Sequence, residues 1–237
     1  MTNKKLTDLY QNNWKATSEK MNKIVSNPEY EVKPTNPLLL VIKDEEKFNS
    51  ADIRIMFYGQ ETNDWGGNFE DKIEETKVIY NDFFNTNACF SYGGQFWNGI
   101  SLFVKKIRQK NPDKRIEFLW NNVVKFGKSG GKNMPPKYIY NIEKENFSII
   151  GEEIDIIKPN LLLFLSGPYY DHVLINQIEG FDKKEKIGDF TSRQLSSFTF
   201  KNELIAYRTY HPNYLWRNNI NKYFDTIIED FEKKKTV

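Results

Sequence analysis

The chain has very little cysteine and very little histidine. Among its 237 residues there is one cysteine, Cys89, and there are two histidines, His172 and His211. One cysteine excludes an intramolecular disulfide framework, and it excludes a zinc or iron–sulfur site built from this chain's cysteines alone. With so few nitrogen and sulfur ligands, we expect no structural zinc.

Long apolar runs and a strong net charge are absent as well. The longest apolar stretches, near Leu38–Ile42 and Leu161–Leu165, are far shorter than the roughly 20 residues of a transmembrane helix. The opening residues contain no apolar segment of the kind that a secretory signal has. Lys plus Arg number 34 and Asp plus Glu number 32, which leaves +2 and excludes a histone-like polymer binder, though not a local basic patch. We therefore expect a cytoplasmic protein without a membrane segment, and a monomer.

Aromatic residues, by contrast, make up 15% of the chain, which favours a packed core over disorder. Four short apolar runs predict strands at Ile53–Tyr58, Ile116–Trp120, Leu161–Leu165 and Leu204–Tyr210. The third run is apolar at every position, as expected for a strand that is covered on both faces.

Helical patterns lie before, between and after these strands. Apolar side chains recur at helical spacing in Leu6–Ile24, Phe96–Ile107, Ile142–Lys158 and Ile220–Phe231. Strands that alternate with helices predict a parallel sheet between two helix layers. We therefore predict an α/β fold, a three-layer α/β/α domain with a central four-stranded parallel sheet over residues 46–237. Residues 1–45 are predicted to form a helical extension that packs on this domain.

Polar residues and glycines follow each predicted strand, at the edge where parallel sheets bind their ligands. The four segments are Gly59-Gln60-Glu61-Thr62-Asn63, Asn121-Asn122, Ser166-Gly167-Pro168 and His211-Pro212-Asn213. Turns are rich in Gly, Asn and Pro in any protein, so it is the convergence of all four segments that indicates a site.

These segments resemble motifs of the uracil-DNA glycosylase superfamily, in the same order along the chain. Gly59–Thr62 resembles its first motif, and Phe90–Trp97 resembles the stretch with the base-stacking aromatic residue. Leu119–Val123 resembles the strand end with the base-reading asparagine, and His211–Leu215 resembles the His-Pro-Ser motif with its following leucine. The matches run from about Ile53 to Trp216.

The resemblance implies a glycosylase-like fold and a reaction. Such an enzyme flips a nucleotide out of DNA and hydrolyses the N-glycosidic bond of uracil or a related modified pyrimidine. By resemblance, the carboxylate of Glu61 stabilises the cationic sugar and orients the attacking water, while His211 donates to the departing base. The reaction needs neither a metal nor an organic cofactor.

The remaining roles concern recognition of the base. The resemblance assigns the stacking face to Phe90 and the reading of the base edge to Asn121. Asn122 is the alternative to Asn121, because strand alternation turns only one of the two side chains inward. Gly59 and Gln60 are expected to contribute backbone amides near the base.

Contacts with the DNA backbone are expected from a lysine-rich stretch. Residues 125–137 contain four lysines and no acid, and we predict phosphate contacts from Lys125, Lys128 and Lys132. By resemblance, Leu215 is the wedge that fills the gap left in the base stack.

The first motif departs from the best-known branch of the superfamily. Glu61 replaces an aspartate, and Thr62 replaces the usual proline. Asn63 stands where that branch has a tyrosine that blocks 5-methyl pyrimidines, so pyrimidines with a larger 5-substituent become candidate substrates.

Two other functions fit the same sequence. One is a protein of this fold that binds single-stranded or damaged DNA without catalysis. The other is an α/β enzyme of unrelated chemistry that acts on a nucleotide or small molecule, since fold alone does not fix function. The acidic run Glu152–Asp155 lies within a helical pattern and is expected to be a solvated face.

Overall fold

The structure is a computed structural model that describes residues 1–200 and 204–235. Its centre is one mixed sheet, in which the strands stand in the order β1-β3-β2-β4-β7-β6-β5. The strands are β1 (Pro34–Pro37), β2 (Ile53–Asn63), β3 (Ile116–Lys128), β4 (Leu161–Phe164), β5 (Phe181–Lys186), β6 (Leu195–Phe200) and β7 (Ile205–Thr209).

The four central strands of this sheet are the four that the sequence predicts. β3, β2, β4 and β7 are parallel to their neighbours. The sheet has seven strands rather than four, because β1 adds antiparallel to β3 and the β5–β6 pair adds antiparallel to β7. The added strands at the two edges read Pro-Thr-Asn-Pro and Phe-Asp-Lys-Lys-Glu-Lys. β1 is buried but carries two prolines, and β5 is mostly exposed and charged, so neither shows the apolar run by which the central strands are found.

The helices begin and end as follows. They are α1 (Thr2–Ser26), α2 (Glu45–Asn49), α3 (Ile73–Tyr80), α4 (Ala88–Tyr92), α5 (Gln95–Lys110), α6 (Lys137–Asn146), α7 (Ile150–Ile157), α8 (Asp171–Gln177), α9 (Pro212–Leu215) and α10 (Ile220–Lys235), with short π or 3₁₀ turns at Asn81–Asn85, Pro168–Tyr170 and Trp216–Asn218. In the described ranges, no helix is both long enough and apolar enough to cross a membrane.

Helices cover both faces of the sheet. On one face, Phe103 of α5 packs edge-on against Phe57 of β2 and against Phe224 of α10. On the other face, α1 and α7 meet through a hydrogen bond of 2.8 Å from the Tyr10 hydroxyl to the Glu153 carboxylate. The apolar stripes of α5 and α10 are buried, and burial of these stripes is what holds a surface helix on a sheet.

The single helix predicted over Ile142–Lys158 is wrong, because the chain forms α6 and α7 there instead. The break falls at residues 147–149, where Phe147 leaves helical geometry with φ −142°. Phe147 is buried, and its ring lies edge-on to Phe126 of β3. Buried isoleucines occur in both helices, Ile139 in α6 and Ile150, Ile154 and Ile157 in α7, so the apolar spacing does not reveal the break between them.

The N-terminal segment belongs to the same core as the rest of the domain. Leu6, Tyr10 and Met21 of α1 are buried. β1 follows α1 and pairs with β3, so this segment contributes a strand to the sheet as well as a helix.

Candidate active site

The site lies where β2 and β3 extend past the end of β4. β4 ends at Phe164, which pairs with Tyr58, whereas β2 continues to Asn63 and β3 to Lys128. Glu61 of this extension is opposite Val124 of β3. The extension therefore holds the polar residues of the first motif on a paired strand, beyond the carboxyl end of β4.

A cavity of about 460 Å³ opens at this edge. Glu61 from β2, Asn122 from β3 and His211 from the turn after β7 all line it, so three segments far apart in sequence meet there. Gly59, Gln60 and Asn63 belong to the same wall, and the full lining is Gly59, Gln60, Glu61, Thr62, Asn63, Asp64, Trp65, Gly66, Ile79, Phe83, Tyr92, Phe96, Trp97, Trp120, Asn122 and His211.

Glu61 is nearly buried and its carboxylate is held in place. The hydroxyl of Tyr170 donates a hydrogen bond to Glu61 Oε2. Burial, and then the neighbouring Glu61 carboxylate, raise the pKa of Tyr170 well above its ordinary value, so this hydroxyl keeps its proton and remains a donor. One carboxylate oxygen is thus engaged, and among residues 1–200 and 204–235 no partner is seen for the other, which leaves it for a ligand or water.

His211 is held as a neutral ring of defined tautomer. Its Nδ1 accepts the backbone N–H of Asn213 at 3.1 Å, at the start of α9. Burial lowers the pKa of His211 to about 4, so the imidazole is uncharged at neutral pH. Because Nδ1 is an acceptor in the neutral ring, the proton sits on Nε2 and makes that atom a donor. The ring stacks on Phe96 with centroids 5.4 Å apart, which fixes its orientation.

Asn122 is positioned by its neighbours on β2. Its Nδ2 donates to the Thr62 hydroxyl at 3.2 Å, and that hydroxyl donates to the Val124 carbonyl at 3.0 Å. A side chain at position 59 would collide with this amide, since a Cβ there would lie 2.3 Å from Asn122 Oδ1. Gly59 is therefore required for the close approach of β2 to the Asn122 side chain.

The far side of the cavity is a wall of aromatic rings. It consists of Trp65, Phe83, Tyr92, Phe96, Trp97 and Trp120. The rings hold one another in edge-on contacts, with the Trp97 and Trp120 centroids 4.9 Å apart and those of Trp65 and Trp120 5.3 Å apart. The cavity thus combines a few convergent polar groups with an aromatic wall, which is the usual composition of a small-molecule pocket.

Phe90 lies elsewhere, so the prediction that it stacks on the base is wrong. Its ring packs edge-on against Trp97 and Phe118, and it lines a separate depression together with Lys105. Phe90 lies in α4, where the neighbouring side chains point in different directions around the helix axis. Tyr92 of the same short helix lines the cavity instead.

Asn121 faces the opposite side of the sheet from Asn122, so its predicted role in reading the base is wrong. It is fully buried, its Nδ2 donates to Glu153 at 2.8 Å, and its Oδ1 accepts from Lys125 at 3.0 Å. Glu153 is fully buried too, so it does not belong to the solvated face expected for the acidic run.

Lys125 cannot contact a phosphate, contrary to the prediction, because it lies inside the protein. It is buried within β3, with Nζ 2.8 Å from Glu153 Oε1 and 2.9 Å from the Leu38 carbonyl oxygen. Lys128 is half-buried at the end of β3, opposite Asn63, and Lys132 is exposed in the loop that follows. Phosphate contacts from these two lysines stay a prediction.

Leu215 is also buried, with no exposed side-chain area, so its predicted role as a wedge is wrong. It is the last residue of the four-residue helix α9, which turns Leu215 into the core and leaves its neighbours Tyr214 and Trp216 exposed.

Tyr170, which contacts Glu61, and Trp65 and Phe83 of the aromatic wall lie outside the four motifs, whereas the other wall residues lie within the Phe90–Trp97 and Leu119–Val123 segments. Tyr170 lies three residues after the strand-end glycine, Gly167, and could have been suspected from that position alone. Trp120 ends a predicted strand and reads as a core residue. Among residues 1–200 and 204–235, no group of three or more His, Cys, Asp or Glu side chains is placed to hold a metal ion.

No protein-family model matches the chain, and no curated protein matches it. The likeness to glycosylases therefore depends on the four short motifs alone.

Proposed function

We propose that this protein is a DNA glycosylase that hydrolyses the N-glycosidic bond of uracil or a related modified pyrimidine, on a uracil-DNA glycosylase-like fold. The observation that supports the proposal is that Glu61, Asn122 and His211 line one cavity. A carboxylate, an amide and a neutral imidazole are the three groups that this hydrolysis needs.

Glu61 acts on the sugar. As the bond between C1′ and the base nitrogen breaks, both electrons leave with the base and the sugar becomes cationic. The Glu61 carboxylate stabilises this cation, and water then adds to C1′ and gives its proton to the carboxylate. The Tyr170 hydroxyl holds one carboxylate oxygen, so the Glu61 side chain is already in position before the reaction begins.

His211 acts on the departing base. A neutral ring with its proton on Nε2 donates a hydrogen bond to a base carbonyl oxygen as negative charge develops there. The base leaves as a hydrogen-bonded anion and takes a proton from solvent. The lowered pKa of His211 keeps it a neutral donor throughout the physiological range.

Asn122 and the aromatic wall recognise the base. After its bond to Thr62, the Asn122 amide has its oxygen and one N–H left, which suit the donor and acceptor of a pyrimidine edge. The cavity of about 460 Å³ falls within the roughly 300–1,000 Å³ of typical ligand pockets, which leaves space for a substituent on the ring.

The test is release of the base from labelled oligonucleotides. Each strand contains one altered pyrimidine, either uracil or a 5-substituted derivative, and abasic sites are revealed by cleavage in alkali. We expect Glu61→Gln and His211→Ala each to lower the rate of release by about 10²–10³-fold, the usual loss for one group that stabilises transition-state charge.

The matched control is Glu29→Gln, which changes an exposed glutamate after α1 and is expected to release the base at the wild-type rate. Thermal unfolding of each variant verifies that it is folded. Equal rates for wild type, Glu61→Gln and His211→Ala, or no release of any base by the wild type, would contradict the proposal.

A second candidate is a protein of this fold that binds DNA without catalysis. It is favoured by the bond from Tyr170 to Glu61, since that bond occupies an oxygen that catalysis could use. This candidate predicts binding that weakens steeply with salt and yields no abasic product.

A further inference from the structure

Four of the exposed large apolar side chains are aromatic, and they belong to the cavity wall or to the segments that follow β4 and β7. Tyr92, Tyr169, Tyr214 and Trp216 are exposed by 79%, 75%, 37% and 39%. We call these four residues the aromatic rim. Exposed aromatic rings concentrated at one place indicate a binding surface.

Each member of the rim is tied to a residue that lines the cavity or contacts the site. Tyr92 itself lines the cavity, and Tyr169 precedes Tyr170, which bonds Glu61. Tyr214 stacks at 4.4 Å on Tyr210, the residue before His211. Trp216 donates from Nε1 to the carbonyl oxygen of Gln95, the residue before Phe96, at 3.2 Å. The rim therefore lies on the chain segments that also carry Tyr170, His211 and Phe96.

Two arginines are interleaved with these rings. The guanidinium of Arg193 lies 5.1 Å from the centre of the Tyr169 ring and donates to its hydroxyl at 3.0 Å. Arg217 follows Trp216 and donates to the Asn213 carbonyl oxygen at 3.2 Å. Within residues 1–200 and 204–235, neither guanidinium pairs with a carboxylate, so both keep their charge for an anionic partner.

We propose that the aromatic rim and its two arginines bind single-stranded DNA on either side of the nucleotide that enters the cavity. An exposed ring can stack on a base only when that base is free of its neighbours in a duplex, and such stacking is how single-strand binders hold their ligand. The arginines supply contacts with phosphates and further stacking. The choice of DNA as the strand depends on the proposed function.

A buried side chain supports a single strand over a duplex. An enzyme that extrudes a base from a duplex commonly inserts an apolar wedge into the stack, and Leu215, the residue in the expected position, is inside the core.

The test is equilibrium binding of a fluorescent strand without any altered base. Fluorescence anisotropy gives the Kd for a short oligothymidylate and for the same strand annealed to its complement. We expect wild type to prefer the single strand by at least tenfold. Tyr169→Ala and Trp216→Ala should each weaken single-strand binding by about fivefold to a hundredfold, the usual effect of losing one stacking ring.

The control Val78→Ala removes an apolar side chain, 55% exposed, that lies outside the rim, and it should bind like wild type. Equal affinity for single strand and duplex, unchanged affinity in Tyr169→Ala and Trp216→Ala, or tighter binding of an RNA strand of the same sequence would overturn the inference. Base release from a uracil-containing strand is measured in parallel. If the rim variants weaken binding but no base is released, the binding role of the rim is supported and the glycosylase is rejected. If the base is released but the rim variants bind like wild type, the glycosylase is supported and the binding role of the rim is rejected.

Discussion

Asn121 and Asn122 are adjacent in β3 and both are buried, yet they belong to two different regions of the molecule. Asn121 joins a closed polar core with Lys125, Glu153 and Tyr10, between the sheet and the layer formed by α1 and α7. Asn122 lies on the other face and lines the cavity.

The two regions differ in how much of the hydrogen-bonding capacity of their polar groups is used within the protein. In the closed polar core, the Glu153 carboxylate is met by Tyr10, Asn121 and Lys125, so the network is satisfied within the protein. At the cavity, the Asn122 amide and the Glu61 carboxylate are each anchored by one bond and keep capacity for a ligand. A satisfied buried network specifies the fold, whereas capacity left over beside a cavity marks a site.

The largest effect is expected from breaking the closed polar core. Lys125→Met removes the cation and leaves the Glu153 carboxylate buried without its charge partner. Loss of one member of a buried ion pair costs about 3–5 kcal/mol, and we expect the free energy of unfolding to fall by that amount. Unfolding in urea measures it, and Lys132→Met at an exposed lysine is the control. Equal stability of the two variants would show that the network is not needed for the fold.

The two regions should also respond to pH in opposite directions. Burial lowers the pKa of His211 to about 4, from an ordinary value of 6.5. Between these pH values the unfolded chain binds a proton that the folded protein does not. The contribution of His211 therefore makes the protein less stable as pH falls from 6.5 to 4, by up to about 3 kcal/mol.

Glu143 of α6 adjoins the closed polar core, where its buried carboxylate accepts the backbone N–H groups of Lys125 and Phe126. Burial raises the pKa of Glu143 to about 7 from 4.5, so its contribution to stability is lost as pH rises through that range. Free energies of unfolding measured against pH for wild type, His211→Asn and Glu143→Gln separate the two contributions. His211→Asn should flatten the loss at low pH, and Glu143→Gln should remove the loss on raising the pH. Parallel curves for all three proteins would contradict both assignments.

Substitution of the two adjacent asparagines should affect different properties, stability for Asn121 and base release for Asn122. Asn121→Ala leaves buried groups of Lys125 and Glu153 without a partner, and we expect a loss of about 1–3 kcal/mol in stability with base release per folded molecule unchanged. Asn122→Ala should lower base release by about tenfold to a hundredfold with a smaller change in stability, because the proposed function has its amide contact the base. Urea unfolding measures stability and the base-release assay measures activity. A larger loss of activity in Asn121→Ala and a larger loss of stability in Asn122→Ala would disprove the comparison.

The smallest effect is expected at Tyr170. Tyr170→Phe removes the hydroxyl that holds Glu61 and keeps the ring, so the carboxylate becomes mobile. We expect kcat for base release to fall about threefold to tenfold with KM nearly constant, since the change concerns orientation of one group. Tyr30→Phe is the matched control, at a half-buried tyrosine that packs on Tyr138 and belongs neither to the cavity lining nor to the aromatic rim. An increase in kcat would mean that Tyr170 holds Glu61 back instead of positioning it.

Much of the fold and part of the site could be predicted from the sequence. The central strands are short apolar runs, and α5 and α10 have apolar residues at helical spacing. These patterns predict buried strands and helices with one buried face. The convergence of Glu61 and His211 followed from their positions after parallel strands, whose carboxyl ends share one edge of the sheet.

The errors concern which way a side chain points. Strand alternation shows that Asn121 and Asn122 face opposite sides, but it does not say which side holds the cavity. Phe90 and Leu215 lie in helices of four or five residues, where the pattern is too short to assign a face. Lys125 reads as a solvated cation because its partner Glu153 is distant in sequence.

The amino-acid pattern was enough to predict an α/β architecture, the order of its central elements and a set of polar residues at one sheet edge. It was enough because burial of apolar side chains follows local periods of two and 3.6 residues. The pattern could not predict which polar side chains are satisfied inside the protein and which face the cavity. That distinction depends on contacts between segments far apart in the chain, such as Tyr10 with Glu153 and Tyr170 with Glu61, and no local pattern encodes such contacts.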